Sequence, residues 1–304
     1  MDFQYLLLPL IGLAWTLVAV TVANARAKNI SIFHFFLLGG AISALIFWVM
    51  NAFLGIGLEH LFSNQYRYAT ICFIVGSLLN SLGQAISMYN LKAGGRALAF
   101  AIPQLAFLLP YTWSLIFWNE KLTIYGISGL FLITLAICYL SLRKKNNSSA
   151  VQSNTSLDCK RLIVSFVAMM FIGASQIATS IPMLLKKENQ LPAIAGSMII
   201  QIMAVIFFAI CCIFSPVKFV NAVKASIKFS IMWAIGAVAS YCILLPPIKI
   251  MATKSQSGIV YPVACSTLIM LFAIYTSVFF KEKLSQSQIV AFLAIIAGIF
   301  LVRM

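Results

Sequence analysis

Six carboxylates and two histidines are all that this chain offers for acid–base chemistry, and their spacing does not bring them together. Asp2, Glu59, Glu120, Asp158, Glu188 and Glu282 are scattered over 304 residues, and Glu120 and Glu282 stand at the ends of apolar runs beside lysines. A general base must lie within hydrogen-bond reach of the proton it takes, and neither an acid nor a histidine is available within the depth of the apolar runs. The seven cysteines form no Cys-x-x-Cys pair and have no histidine at ligand spacing, so zinc and redox centres are not indicated. Six of them sit in apolar runs, where cysteine acts as a small hydrophobe. Cys159 alone falls in a polar stretch, and an unpaired loop cysteine points to a reducing compartment. The expectation is a protein that is not an enzyme and has no cofactor, metal site or catalytic residue.

The chemistry that remains is uncharged. Trp15, Asn80, Gln84, Gln104, Tyr111, Gln176, Tyr241 and Tyr261 are polar or amphipathic side chains inside apolar runs, and they are the candidate substrate-binding residues. Thr16, Trp113, Ser175, Thr179, Gln201, Ser240 and Ser266 share that setting. Asn80 and Gln84 stand one helical turn apart, and Ser87 continues their face. Amides and hydroxyls both donate and accept hydrogen bonds, which suits a neutral polyol, and aromatic rings give the flat apolar faces on which sugars rest. The same polar residues also join helices within membranes.

These side chains are set in a composition that only a bilayer accommodates. Apolar residues (AVILMFWYC) make up 62% of the chain and charged ones 9%, against about 45–50% and about 25% in a soluble domain. The formal charge of +15 would suit a phosphate backbone. However, the 21 Lys and Arg are scattered between apolar runs without a basic stripe, so no nucleic-acid partner is expected. The partners expected are a small-molecule substrate and the lipid bilayer, with the protein a monomer or a homodimer.

A membrane helix needs about 20 mostly apolar residues. The chain divides into ten such spans, near 4–24, 32–56, 68–90, 97–118, 123–142, 162–185, 192–214, 228–251, 257–280 and 286–303. The first lacks the basic start and small-residue cleavage site of a removable signal. The Ser/Asn-rich stretch 143–161, bounded by basic residues, has five spans on either side and reads as a linker. It separates a first five-helix unit, 1–142, from a second, 162–304.

The two units repeat one another. A shift of 162 residues lays Asn119-Glu120-Lys121-Leu122 on Lys281-Glu282-Lys283-Leu284, and Lys92 on Lys254; a shift of 161 lays Gly12 and Trp15 on Gly173 and Gln176. Pro103 and Pro262 fall about one helical turn from the same register. With five spans per unit, the second must enter the membrane from the opposite side. Inverted repeats of this kind mark secondary transporters, with the substrate near the midplane between them.

The ten spans, the Glu-Lys-Leu that opens the last span of each unit and the Gly-x-x-Trp of the first span resemble the drug/metabolite transporter (EamA-like) superfamily. Leu82-Gly83-Gln84, the Lys92–Gly95 turn and Gln104 are similar to its bacterial glucose/rhamnose-type uptake branch. The resemblance implies an all-α integral membrane carrier of small metabolites in a bacterial inner membrane. It places the site between the first, third and fourth spans and the sixth, eighth and ninth. An organic-anion or nucleotide-sugar carrier using Lys92, Arg96, Lys249 or Lys254 is the alternative within transport, and a membrane scaffold the alternative outside it. The absence of a carboxylate inside any span speaks against a cation exporter that depends on one. Fourteen of the 21 Lys and Arg fall on the central-loop side of the ten-span arrangement, so the positive-inside rule places both termini outside. Superfamily relatives are thought to keep them inside.

Overall fold

The computed structural model describes residues 3–56, 63–92, 102–118, 120, 123–142, 155–215, 217, 219–252, 256–279 and 286–303. Among these residues there is no strand. The described residues form ten α-helices: α1 Phe3–Ala27, α2 Ile32–Phe53, α3 Arg67–Lys92, α4 Leu108–Phe117, α5 Ile124–Leu142, α6 Thr155–Leu184, α7 Ala193–Ile213, α8 Phe219–Ala252, α9 Val260–Phe279 and α10 Gln286–Arg303. Single 3₁₀ turns, Leu105–Phe107 and Ser257–Ile259, lead into α4 and α9.

Seven helices (α1, α2, α3, α6, α7, α8 and α9) are long and apolar enough to cross a bilayer, while the apolar segments of the other three are shorter. The protein is thus a helical, multi-pass membrane protein. Its outer surface agrees: Leu13, Trp48, Ile116, Phe131 and Val290 are each at least half exposed, a coat that water would not tolerate over so wide an area. Inside, several hydroxyls are satisfied by their own helices. Thr21, Ser43, Ser197, Ser226 and Thr267 each donate to the carbonyl four residues back, as a backbone without water requires of its side chains.

The most extensively packed pairs are α3 on α6, α1 on α8, α2 on α8, α3 on α7, α1 on α9, α4 on α6, α2 on α7 and α5 on α10, and α8 also makes smaller contacts with α6 and α7. Glycines let several of them approach to backbone distance. A methyl group at Gly12 in α1 would lie 2.5 Å from Thr267 Cβ and 2.7 Å from the Ala264 carbonyl of α9. One at Gly173 in α6 would lie 2.8 Å from the Ala106 carbonyl and 2.9 Å from Leu109 Cβ. Gly76 of α3 meets Ser175 and Thr179 of α6, and Gly236 of α8 meets Ala14 and Val18 of α1. Gly39 of α2 meets the Trp233 ring of α8, and Gly196 of α7 meets the Phe73 ring of α3.

Contact order along each pair gives its sense. Gly12 meets Ala264 while Asn24 bonds Tyr275, so α1 and α9 run parallel. Phe35 pairs with Ser230 and Gly39 with Trp233, and α2 and α8 are parallel too. Phe73 with Gly196 and Ser77 with Ile200 make α3 and α7 parallel. Gly76 against Ser175 and Gly83 against Ala168 run the other way, so α3 and α6 are antiparallel. So are α2 and α7, with Gly40 at Val205 and Asn51 at Met198.

Three local expectations change. The linker expected over 143–161 is helical from Thr155, because Leu157-Asp158-Cys159-Lys160-Arg161 continues a helix whose first turn favours an acid. The span expected from 228 starts at Phe219, since Lys224 and Lys228 stand four apart and can face the headgroups from a helix as well as from a loop. The fourth span is interrupted by the 3₁₀ turn Leu105–Phe107. There Pro110 supplies no N–H for the Ala106 carbonyl, and that carbonyl is the one that faces Gly173.

Candidate functional site

Polar side chains from both halves of the chain meet where α1, α6 and α9 come together. Trp15 of α1 is half-buried and stacks on Tyr261 in the first turn of α9, with centroids 6.4 Å apart and 24° between the ring planes. Pro262 is tolerated beside Tyr261 because the first helical turn has no intrahelical N–H bond to lose. The buried Tyr261 hydroxyl donates to the Gln176 carbonyl of α6 at 3.2 Å and lies 3.0 Å from Ser180 Oγ. Ser180 in turn donates to the same carbonyl at 2.7 Å, so the single Tyr261 hydroxyl hydrogen is shared between that carbonyl and the Ser180 oxygen.

Gln176 and Ser180 are one turn apart and share a face of α6. The Gln176 Oε1 is buried and has no hydrogen-bond partner among the described residues. Leaving a buried acceptor unmet costs about 1–3 kcal/mol, so this oxygen is a place for a donor from outside the protein. Gln201 Oε1 of α7 and Ser266 Oγ of α9 are also buried and unmet, but they share no hydrogen bond with this cluster among the described residues. Tyr241 of α8 is half-buried against the same core. The cluster can hold a small solute by one apolar aromatic face and a few amide and hydroxyl groups. Among its described residues it contains no carboxylate and no basic side chain.

The other expected residues are placed as follows. Asn80 and Gln84 are half-buried on α3, on the side that carries Gly76 and Gly83 towards α6. Gln104 is half-buried immediately before the 3₁₀ turn Leu105–Phe107. Gln84, Gln104 and Gln176 share no hydrogen bond among the described residues. Tyr111 is buried but drawn away from Trp15 and Tyr261: its hydroxyl lies 3.2 Å from where a methyl on Gly126 of α5 would be. Lys249 is exposed, while the Lys92 side chain, Arg96 and Lys254 lie outside the described residues. Ser180 went unnoticed in the sequence, although its place four residues after Gln176 was a usable signal.

An apolar groove of about 360 Å³ lies elsewhere, between Leu132 and Leu135 of α5 and Val290 and Ala294 of α10. It offers almost no polar group to fix a polar solute, and it belongs to a helix pair whose exposed faces carry Phe131 and Leu293. The polar cluster is therefore the candidate site.

Compared with known proteins, the sequence matches no family model and no curated protein. The fold has likenesses: 23 solved chains are similar, among them a crystal structure of a protein at TM-score 0.65 and 15% identity, covering 97% of this chain and 95% of that one. At this identity the likeness is one of architecture, and it extends over the whole bundle.

Proposed function

We propose that the protein is a secondary transporter that moves a small, neutral polar metabolite, with a sugar as the first candidate, by alternating access between two inverted five-helix halves. The observation that carries this reading is the reciprocity of the packing. Exchanging each helix for its counterpart in the other half turns α3–α6 into α8–α1, α2–α8 into α7–α3, and α1–α9 into α6–α4. The pairs α2–α7 and α5–α10 turn into themselves. The glycine contacts exchange likewise: Gly12 on α9 with Gly173 on the segment leading into α4, Gly76 on α6 with Gly236 on α1, Gly39 at Trp233 with Gly196 at Phe73.

A two-fold relation between halves explains that pattern, and the antiparallel α2 and α7, which are counterparts, favour an axis in the membrane plane. The parallel and antiparallel senses of all five oriented pairs fit helices that alternate direction ten times. In this arrangement the solute lies between repeats, where Trp15 of one half stacks on Tyr261 of the other, which in turn reaches Gln176 and Ser180. The resemblance of the Glu-Lys-Leu and Gly-x-x-Trp motifs to the drug/metabolite transporters agrees with this reading, as does a bacterial inner membrane as its place.

Purified protein in liposomes is expected to take up a radiolabelled solute chosen by a thermal-shift screen of sugars, amino acids, nucleosides and organic acids. No shift and no uptake across the panel would leave a membrane scaffold as the better reading. In the same assay Gln84→Ala, Gln104→Ala and Gln176→Ala are each expected to lower uptake without impairing insertion, with the largest loss at Gln176. Wild-type rates in all three would remove the site and leave the fold. For orientation, a membrane-impermeant thiol reagent on intact cells is expected to leave Cys159 unmodified, since the basic residues place the central loop inside. Ready labelling of Cys159 would turn the protein over.

A further inference from the structure

Glu120 follows α4 in the first half, yet its carboxylate bonds to the second half. Ser257 Oγ donates to Glu120 Oε1 at 2.5 Å, and the Gly258 amide donates to the carboxylate at 3.1 and 3.2 Å. Both donors belong to the 3₁₀ turn that leads into α9. An anion there meets the positive end of the helix and makes charge-assisted bonds.

The fit leaves no slack. Ser257, Gly258 and Ile259 are buried, and a methyl on Gly258 would fall onto Ser114 Oγ and 2.8 Å from Glu120 Oε2. Leu191, Ile248 and Met251 are buried at the same end of the bundle, and Gln65 bonds the Glu188 carbonyl across two neighbouring connections. Tyr261, whose hydroxyl reaches α6, stands three residues beyond Gly258.

We propose that Glu120 is the latch of this face: it ties α4 of one half to α9 of the other and must let go for the face to open. The inference rests on the transporter reading above. In a rocking motion α4 and α9 separate at this end, and the carboxylate is the polar tie that spans them. Glu120 does not touch the solute; it positions the halves. Its release exposes the first turns of α9, including Tyr261 and, one turn further in, Cys265.

Cys265, now 2% exposed, is a native reporter of that opening. The test is the rate at which a membrane-impermeant methanethiosulfonate modifies Cys265 in purified protein in lipid nanodiscs, read peptide by peptide by mass spectrometry. Glu120→Ala is expected to raise the rate at least fivefold. Glu120→Gln, which keeps the oxygen but loses the charge, should raise it less. Gly258→Ala is an independent wedge that should also raise it. Melting curves on the same samples show that each variant is folded. An unchanged rate in folded Glu120→Ala and folded Gly258→Ala overturns the latch, whatever the liposome assay gives. Faster labelling combined with no uptake of any solute by wild-type protein keeps the opening and removes the transport reading.

Discussion

Gly12→Val is expected to be among the most damaging single changes in the chain, lowering stability by about 3 kcal/mol, while Leu13→Val beside it changes stability by less than about 0.5 kcal/mol. The two positions differ only in what they face. Leu13 is 57% exposed on the outside of α1. The side chain added at Gly12 would have to displace the Thr267 Cβ and the Ala264 carbonyl, and neither is the far end of a flexible side chain. In a bilayer, helices are held by close packing because water is not there to drive them together, so moving α1 away from α9 removes the attraction itself. Gly173→Val is expected to match Gly12→Val, because Gly173 meets the Ala106 carbonyl and Leu109 Cβ in the same way. Thermal melting of the detergent-purified variants checks both, and a Gly12→Val protein as stable as wild type would mean that α1 and α9 do not touch there.

Tyr261→Ala is expected to reduce uptake at least tenfold, the largest functional loss of any single substitution in the cluster. It removes the ring stacked on Trp15 and the hydroxyl that lies between Ser180 and the Gln176 carbonyl. A tenfold loss corresponds to about 1.4 kcal/mol of lost stabilisation, which one aromatic contact and one hydrogen bond can supply. Tyr261→Phe separates the two. Ser180 still bonds the Gln176 carbonyl, so the fold is expected to hold, and the change should appear as a raised KM with the maximal rate nearly kept. If Tyr261→Ala folds and transports as wild type does, the cluster is not on the path of the solute.

Most helices were legible because a bilayer sets their length and apolar residues mark it. What the sequence concealed were helical ends made of polar residues. Thr155–Arg161 and Phe219–Ile227 carry too many polar and charged side chains to count as membrane-spanning, yet nothing in them stops a helix. Trp15, Gln176 and Tyr261 could be picked out as polar or aromatic groups in apolar runs. Ser180 was passed over although it stands one turn from Gln176, since a serine in such a run often bonds its own helix, as Ser43 and Ser226 do. Tyr111 looked like the others in the sequence, yet its hydroxyl lies against Gly126 of α5. Glu120 was legible as a charge at the end of a span. Its partners stand 137 and 138 residues away, and no local pattern foretells a bond over that distance.

The crossings at Gly12 and Gly173 bring one helix against the carbonyl oxygens of another, and those oxygens are the same whatever the residue. A frame fastened in this way asks for small residues at a handful of points and leaves the remaining positions free to drift. Side chains away from those points can then be exchanged without shifting any helix from its place. A solved chain at TM-score 0.65 shares this architecture while agreeing at only 15% of its residues.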